Sequence, residues 1–166
     1  MKPALLVVDI QNAWMDEDKG MKAFMEDRIG TVNLAARWFR KKKLPVVVVS
    51  HEDKESGAAE GTRPFEVVKG VDVAGGDIRV TKHYPNSFNK TALDSILRQK
   101  GCDTVVIAGL SASWCVLATF FGARDNDFKA YLLKDGVAAP REDLVRFAEE
   151  ICETLDVDSF DKTFLS

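Results

Sequence analysis

The chain has 166 residues, and its 23 lysines and arginines against 26 aspartates and glutamates give a formal net charge of −3. That length favours a single domain spanning 1–166, and the slight acidic balance gives no reason to expect a nucleic-acid surface. Hydrophobic residues make up 46% and charged ones 30%, the composition of a folded, soluble chain, and the apolar runs are strand-sized, well short of the roughly 20 residues that cross a bilayer, so no membrane role is expected.

Ala4 to Ile10 is a β-branched and aliphatic run, too continuous for a half-exposed strand, and reads as a strand buried on both faces. It follows Met1 at once and ends at Asp9 with no small-residue cleavage site, so a cytoplasmic location is expected. Arg28 to Lys43 carries apolar residues at helical spacing, and the four cations Arg40 to Lys43 complement the dipole of its last turn. Pro45 to Ser50 is a second buried strand. Glu52 to Gly76, rich in Gly, Glu and Ala, has poor periodicity and is expected to run over the strand ends, where loops of that length are often functional. Ile78 to Lys82 is a short strand, Asn89 to Lys100 a helix stopped by Gly101, and Asp103 to Gly109 the third clear buried strand. Ser113 to Arg124 reads as a helix, Phe128 to Leu133 as a strand, Arg141 to Leu155 as a helix, and Val157 to Phe160 as a weak last strand. Alternating strands and helices require right-handed crossovers and a sheet covered on both sides, hence a three-layer α/β fold.

In such a sheet, ligands bind beyond the carboxyl ends of the strands, near the point where strand order reverses. Asp9, Ser50, His51, Lys82, the segment Leu110 to Cys115, and Asp135 fall at those ends. Nucleotide loops of the GxGxxG and GxxxxGK[ST] types are missing, Gly109-Leu110-Ser111-Ala112-Ser113 lacks the second glycine of a serine nucleophile elbow, and Arg124 is too distant from Cys115 for a cysteine phosphatase loop. With Ser113 as N-cap, Cys115 lies in the first turn of a helix, where free N–H groups and the dipole favour a thiolate. The three cysteines contain no CxxC pair, so neither a disulfide frame nor a zinc site is suggested, and Cys102 and Cys152 read as packing residues. Each candidate alone has a structural alternative: Cys115 as a small buried hydrophobe, Asp9 as a turn cap, Lys82 as a solvated side chain. Together, an acid, a cation and a thiol at strand ends have complementary roles in proton transfer and nucleophilic attack.

These residues, with LLVVDIQNAW at 5–14, VTKHYPNSFNKTALDSILRQKGCDTVVIAG at 80–109 and LSASWCVLATFFGARDNDFKAYLLKDGVAA at 110–139, resemble the isochorismatase-like cysteine hydrolases, the superfamily that includes nicotinamidases and N-carbamoylsarcosine amidase. The resemblance covers most of the chain and is weakest between 52 and 78. It implies a mostly parallel six-stranded sheet of order 3-2-1-4-5-6, with Asp9 as general base, Lys82 as supporting cation and Cys115 as nucleophile. It further implies a cis peptide at Leu110-Ser111, an oxyanion hole from the backbone N–H groups of Ser111 and Cys115, and a homo-oligomer. The expected activity is hydrolysis of a small-molecule amide or other C–N bond through a thioester. The alternatives are an isochorismate-type vinyl ether hydrolase and a non-catalytic oligomeric binding protein. Trp14, His51, Tyr84, Phe88 and Trp114 are the expected pocket residues, and His83 is a further candidate for substrate contact. Nicotinamidases hold a metal with an Asp-x-His pair after the second strand and a further His, whereas this chain has Ser50-His51-Glu52-Asp53-Lys54, so no metal or other cofactor is expected. Ala112-Ser113 stands where the family often has Thr-Asp, so substrate contacts do not carry over.

Overall fold

The computed structural model describes residues 1–165. Six strands, β1 (Pro3–Val8), β2 (Val46–His51), β3 (Ile78–Lys82), β4 (Thr104–Leu110), β5 (Lys129–Ala138) and β6 (Thr154–Leu155), form one sheet in the order β3-β2-β1-β4-β5-β6. All five ladders are parallel. The helices are α1 (Asn12–Glu17), α2 (Lys19–Lys41), α3 (Leu93–Gln99), α4 (Cys115–Asp125), α5 (Glu142–Ile151) and α6 (Phe160–Phe164). Strand order reverses at β1, which lies between β2 and β4, and this switch point fixes where a ligand-binding crevice opens.

Successive strand residues face opposite sides of a sheet, and β1 has both sides covered. Leu5 and Val7 pack with Met25, Val32 and Phe39 of α2 and Phe160 of α6. Ala4, Leu6 and Val8 pack with Leu93 and Leu97 of α3, Phe120 of α4 and Val145 of α5. A strand covered on both faces has no polar position, which is why all of β1 is apolar and buried.

Several elements differ from the sequence reading, among them α3, which starts at Leu93 rather than Asn89, and β5, which runs on to Ala138 rather than ending at Leu133. Helix α2 begins at Lys19 rather than Arg28, because the Asp18 carboxylate accepts the Met21 N–H at 2.8 Å and caps a stripe that continues through Met21 and Met25. Charged residues and two glycines conceal that stripe in the sequence. The last strand is Thr154–Leu155, paired with Leu132 and Leu133, and α5 stops at Ile151. Residues Val157–Ser159 form a 3₁₀ turn instead of a strand, tightened by the Asp156 carboxylate, which accepts the Ser159 N–H at 2.8 Å. Asp135 lies inside β5 and not after it, at a left-handed φ of 57° where the β4–β5 register shifts, and it pairs with Arg28 of α2 at 2.9 Å.

The segment 52–77 is a chain of turns fastened to the carboxyl edge. The N–H groups of Asn12 and Ala13 donate to Glu66 O and Pro64 O, and that of Val68 donates to Ile10 O. Arg40 at the end of α2 secures its far end through Asp77 (2.6 Å) and Asp72 (3.2 Å). Among the described residues no helix is long and apolar enough to cross a membrane.

Gly109 of β4 sits opposite Val8 at a φ of +118°, and a Cβ there would collide with the Val8 carbonyl oxygen. Gly109→Ala is therefore expected to lower stability by about 2–3 kcal/mol or more, read as a reduced urea midpoint; an unchanged midpoint would contradict this close approach.

Candidate active site

The turn after β1 places the first acid. Asp9 adopts a left-handed φ of 55°, which aspartate tolerates better than most side chains. Its N–H donates to Val49 O at 3.0 Å and its carbonyl accepts the Gln11 N–H at 2.8 Å, a tight bend at the end of the strand. The carboxylate is buried. Lys82 ends β3 and is 0% exposed. Its Nζ lies 2.9 Å from Asp9 Oδ2 and donates to His51 Nδ1 at 2.8 Å, Tyr84 O at 3.1 Å and Cys115 Sγ at 3.3 Å. His51 and Lys82 are direct partners in the β2–β3 register, so the imidazole beside the ammonium follows from strand pairing.

Cys115 is the first residue of α4. The approach to it is a knot of backbone contacts that follows the cis Leu110–Ser111 peptide: Ala112 N–H donates to Ala138 O at 2.7 Å, and the Trp114 and Val116 N–H groups donate to Ser111 O at 3.0 and 3.1 Å. The residue preceding the helix is Trp114, without a side-chain cap, and not Ser113. The Ser113 hydroxyl instead lies 3.2 Å from that of Ser111.

Burial governs the charges. The Cys115 thiol is pushed up to about 12, first by burial and then by the Asp9 carboxylate, against the opposing pull of Lys82. The expected thiolate is thus corrected: a helix terminus is worth about 0.3–1 kcal/mol, rising to ~2 in favourable cases, whereas desolvation of a buried group is worth several pKa units at ~1.4 kcal/mol each. Burial also raises Asp9, outweighing Lys82. The sulfur therefore keeps its proton in the resting protein, and Asp9 Oδ1, buried without a hydrogen-bond partner, is the acceptor placed to take it. Burial and Lys82 lower His51 to about 4. An ammonium can only donate, so His51 Nδ1 accepts and the ring proton resides on Nε2.

Gln11 is fully buried and uses its whole amide: Nε2 donates to His51 O (3.0 Å) and Phe65 O (2.9 Å), while Oε1 accepts the His51 N–H (2.8 Å) and the Trp14 indole N–H (3.1 Å). It ties β1, β2, α1 and the 52–77 segment together at the site. The sequence reading gave Gln11 no role, though an amide immediately after a buried strand is a detectable signal, since it must find partners for four hydrogen-bonding sites.

These groups face a cavity of about 430 Å³, a size suited to a small molecule. Asp9, His51, Ser111 and Cys115 line it, with Trp14 and Trp114 as aromatic walls and Glu17, Met21, Asp53 and Pro140 as residues the sequence did not mark. Tyr84 and Phe88 are not among its walls. Phe88 packs against Phe128 in the core, its ring centroid 5.7 Å away, and the Tyr84 ring lies under Lys90, so that only its carbonyl reaches the site. His83 is turned to solvent beside Glu52. Cys102 and Cys152 are buried in the core.

The chain matches the isochorismatase domain family over residues 3–153. An uncharacterized isochorismatase family protein of Bacillus subtilis, YrdC, is 29% identical over 143 residues, covering 83% of this chain and 74% of that protein. The structure of N-carbamoylsarcosine amidase from Thermoplasma acidophilum is similar with a TM-score of 0.80 at 30% identity, covering 94% of this chain and 95% of that one. Pyrazinamidase of Pyrococcus horikoshii, solved in complex with zinc, gives a TM-score of 0.80 at 25% identity over 94% of this chain and 99% of that one.

A carboxylate oxygen, a ring nitrogen and Sγ from Asp9, His51 and Cys115 lie within 4.8 Å of one another, the donor set of a metal site. Yet Lys82 Nζ already contacts all three side chains at 2.8–3.3 Å. A second cation among the same donors would face an adjacent ammonium, and the arrangement does not fit a metal there. What it fits is cysteine-dependent hydrolysis of an amide-type C–N bond: a thiol and a carboxylate line one small cavity, with a buried ammonium directly behind them.

His51 is expected to remain neutral down to about pH 4, as read from its ring nitrogen shifts by NMR. The unfolded chain protonates this ring near 6.5, so its contribution to stability is lost as pH falls from about 6.5 toward 4, and His51→Gln should remove that part of the slope. A ring titrating at 6 or above would contradict the contact with Lys82.

Proposed function

The chain belongs to the isochorismatase family, and on that footing we propose that it hydrolyses a small-molecule carboxamide, carbamoyl or ureido compound, with Cys115 as nucleophile, Asp9 as general base and acid, and Lys82 as the cation between them. The observation that carries this reading is the Lys82 ammonium, 2.9 Å from Asp9 Oδ2 and 3.3 Å from Cys115 Sγ. The carboxylate takes the thiol proton as Sγ attacks the carbonyl carbon, and the ammonium stabilises the negative charge wherever it lies between oxygen and sulfur. The N–H groups of Ser111 and Cys115 receive the developing oxyanion; neighbouring N–H groups are committed, Ala112 to Ala138 O and Trp114 and Val116 to Ser111 O. As the C–N bond breaks, Asp9 returns the proton to the nitrogen, which leaves as ammonia or amine. Water then attacks the thioester, gives a proton to Asp9, and the released sulfur regains it. One amide and one water become one acid and one amine, and the enzyme is restored.

The grouping of Asp9, His51 and Cys115 supports a second reading, in which His51 is the third catalytic group. Its Nδ1 is engaged by Lys82 and its basicity is low, which favours a role in holding the lysine.

Ammonia release from a panel of small amides tests the proposal. Cys115→Ala should reduce kcat by about 10³-fold or more, and Asp9→Asn and Lys82→Met by about 10²–10⁴-fold, with circular dichroism confirming folding. His51→Gln should retain most of the rate. Equal turnover by Cys115→Ala would overturn the proposal, and loss in His51→Gln without loss in Lys82→Met would replace Lys82 by His51.

A further inference from the structure

We infer that this cavity selects neutral or positively charged amides and turns away those carrying a carboxylate. The inference rests on the hydrolase reading above and specifies its substrate class. Beyond Asp9, two more acidic side chains, Glu17 and Asp53, line the cavity, and among the described residues no arginine or lysine lines it. Lys82 lies behind the wall, 0% exposed, with four acceptors around its three N–H bonds, and has nothing left to offer a substrate anion.

Of the cations close in sequence to the lining residues, Lys19, Lys22 and Lys54 do not line the cavity, and two nearby arginines are engaged elsewhere. Arg63 pairs with Asp16 at 2.8 Å, next to Glu17 on α1, and Arg141, beside Pro140, pairs with Asp143 at 2.9 Å. The Asp53 carboxylate is fixed by its own turn, where Oδ1 accepts the Glu55 N–H at 3.0 Å and the Ser56 N–H at 3.4 Å, and those bonds hold it in the ionised form. His51 is neutral and offers one N–H, sufficient for a carbonyl.

A carboxylate entering this space would surrender part of its hydration with no guanidinium or ammonium in the lining to replace it, and would meet negative charge on the cavity wall. A neutral amide escapes that penalty. A cationic group gains from Glu17 and Asp53 and from the indoles of Trp14 and Trp114, whose faces attract cations.

Alkylation of Cys115 reads this selection without needing turnover. Iodoacetamide and iodoacetate differ only in an amide against a carboxylate, and 2-bromoethylammonium brings a cation to the same thiol. Rates at Cys115 are followed by peptide mass spectrometry, which separates it from Cys102 and Cys152, and each is divided by the rate with N-acetylcysteinamide. The normalised rate for iodoacetamide should exceed that for iodoacetate by about tenfold or more, and 2-bromoethylammonium should match or exceed iodoacetamide. Glu17→Lys with Asp53→Lys should bring the iodoacetamide preference to within about threefold. Normalised rates that are equal, or that favour iodoacetate, overturn the inference and leave the nucleophile standing. Amide turnover undiminished in Cys115→Ala overturns the hydrolase reading and this inference with it.

Discussion

Lys82 has no exposed surface, and an ammonium removed from water costs several kcal/mol unless acceptors replace its hydration. The fold supplies them from four separate places: the Asp9 carboxylate after β1, the His51 ring at the end of β2, the Tyr84 carbonyl just past β3, and the Cys115 sulfur at the start of α4. Asp9 is the only one of the four that carries a full opposite charge, and the requirement to satisfy the ammonium couples the turn after β1, two strand ends and a helix start. The constraint also specifies chemistry. It holds an acid and a thiol on one cation and fixes the imidazole tautomer.

That arrangement gives the thiol its latent character. Burial raises both Asp9 and Cys115, so the site does not keep a standing thiolate, and in the proposed reaction the proton passes to Asp9 only as sulfur attacks. The buried and unpartnered Asp9 Oδ1 is open to take it. A neutral thiol at rest is less exposed to oxidation and to adventitious electrophiles than a thiolate would be. On the inference drawn above, the acidic lining that includes Glu17 and Asp53 likewise disfavours a negatively charged ligand.

Much of this was legible in the residues. Buried strands announce themselves because a run such as Leu5 to Val8 has no polar face, and Asp9, Lys82 and Cys115 stand at strand ends where a parallel sheet collects its chemistry. The order of the strands and the Leu110–Ser111 peptide came from the family resemblance and not from spacing. The reading erred where one polar side chain redirects the backbone: Asp18 begins a helix nine residues earlier than its apolar stripe suggests, and Asp156 turns an apparent strand into a 3₁₀ turn. It also erred where composition points to a wall and packing decides otherwise, as with Phe88, an aromatic close in sequence to Lys82 that lies in the core. Charge state was the least legible property. Position at a helix start argued for a thiolate, and only the depth of burial, which depends on the assembled tertiary structure, reverses that sign.

The most direct test of the central claim is thiolate absorbance near 240 nm, taken as the difference between the native protein and Cys115→Ala so that Cys102 and Cys152 cancel. A proton resting on the buried thiol predicts no difference signal at neutral pH, with thiolate emerging only under strongly alkaline conditions. A full thiolate signal at pH 7 would contradict it, because the proton would then have left the sulfur before any substrate arrived.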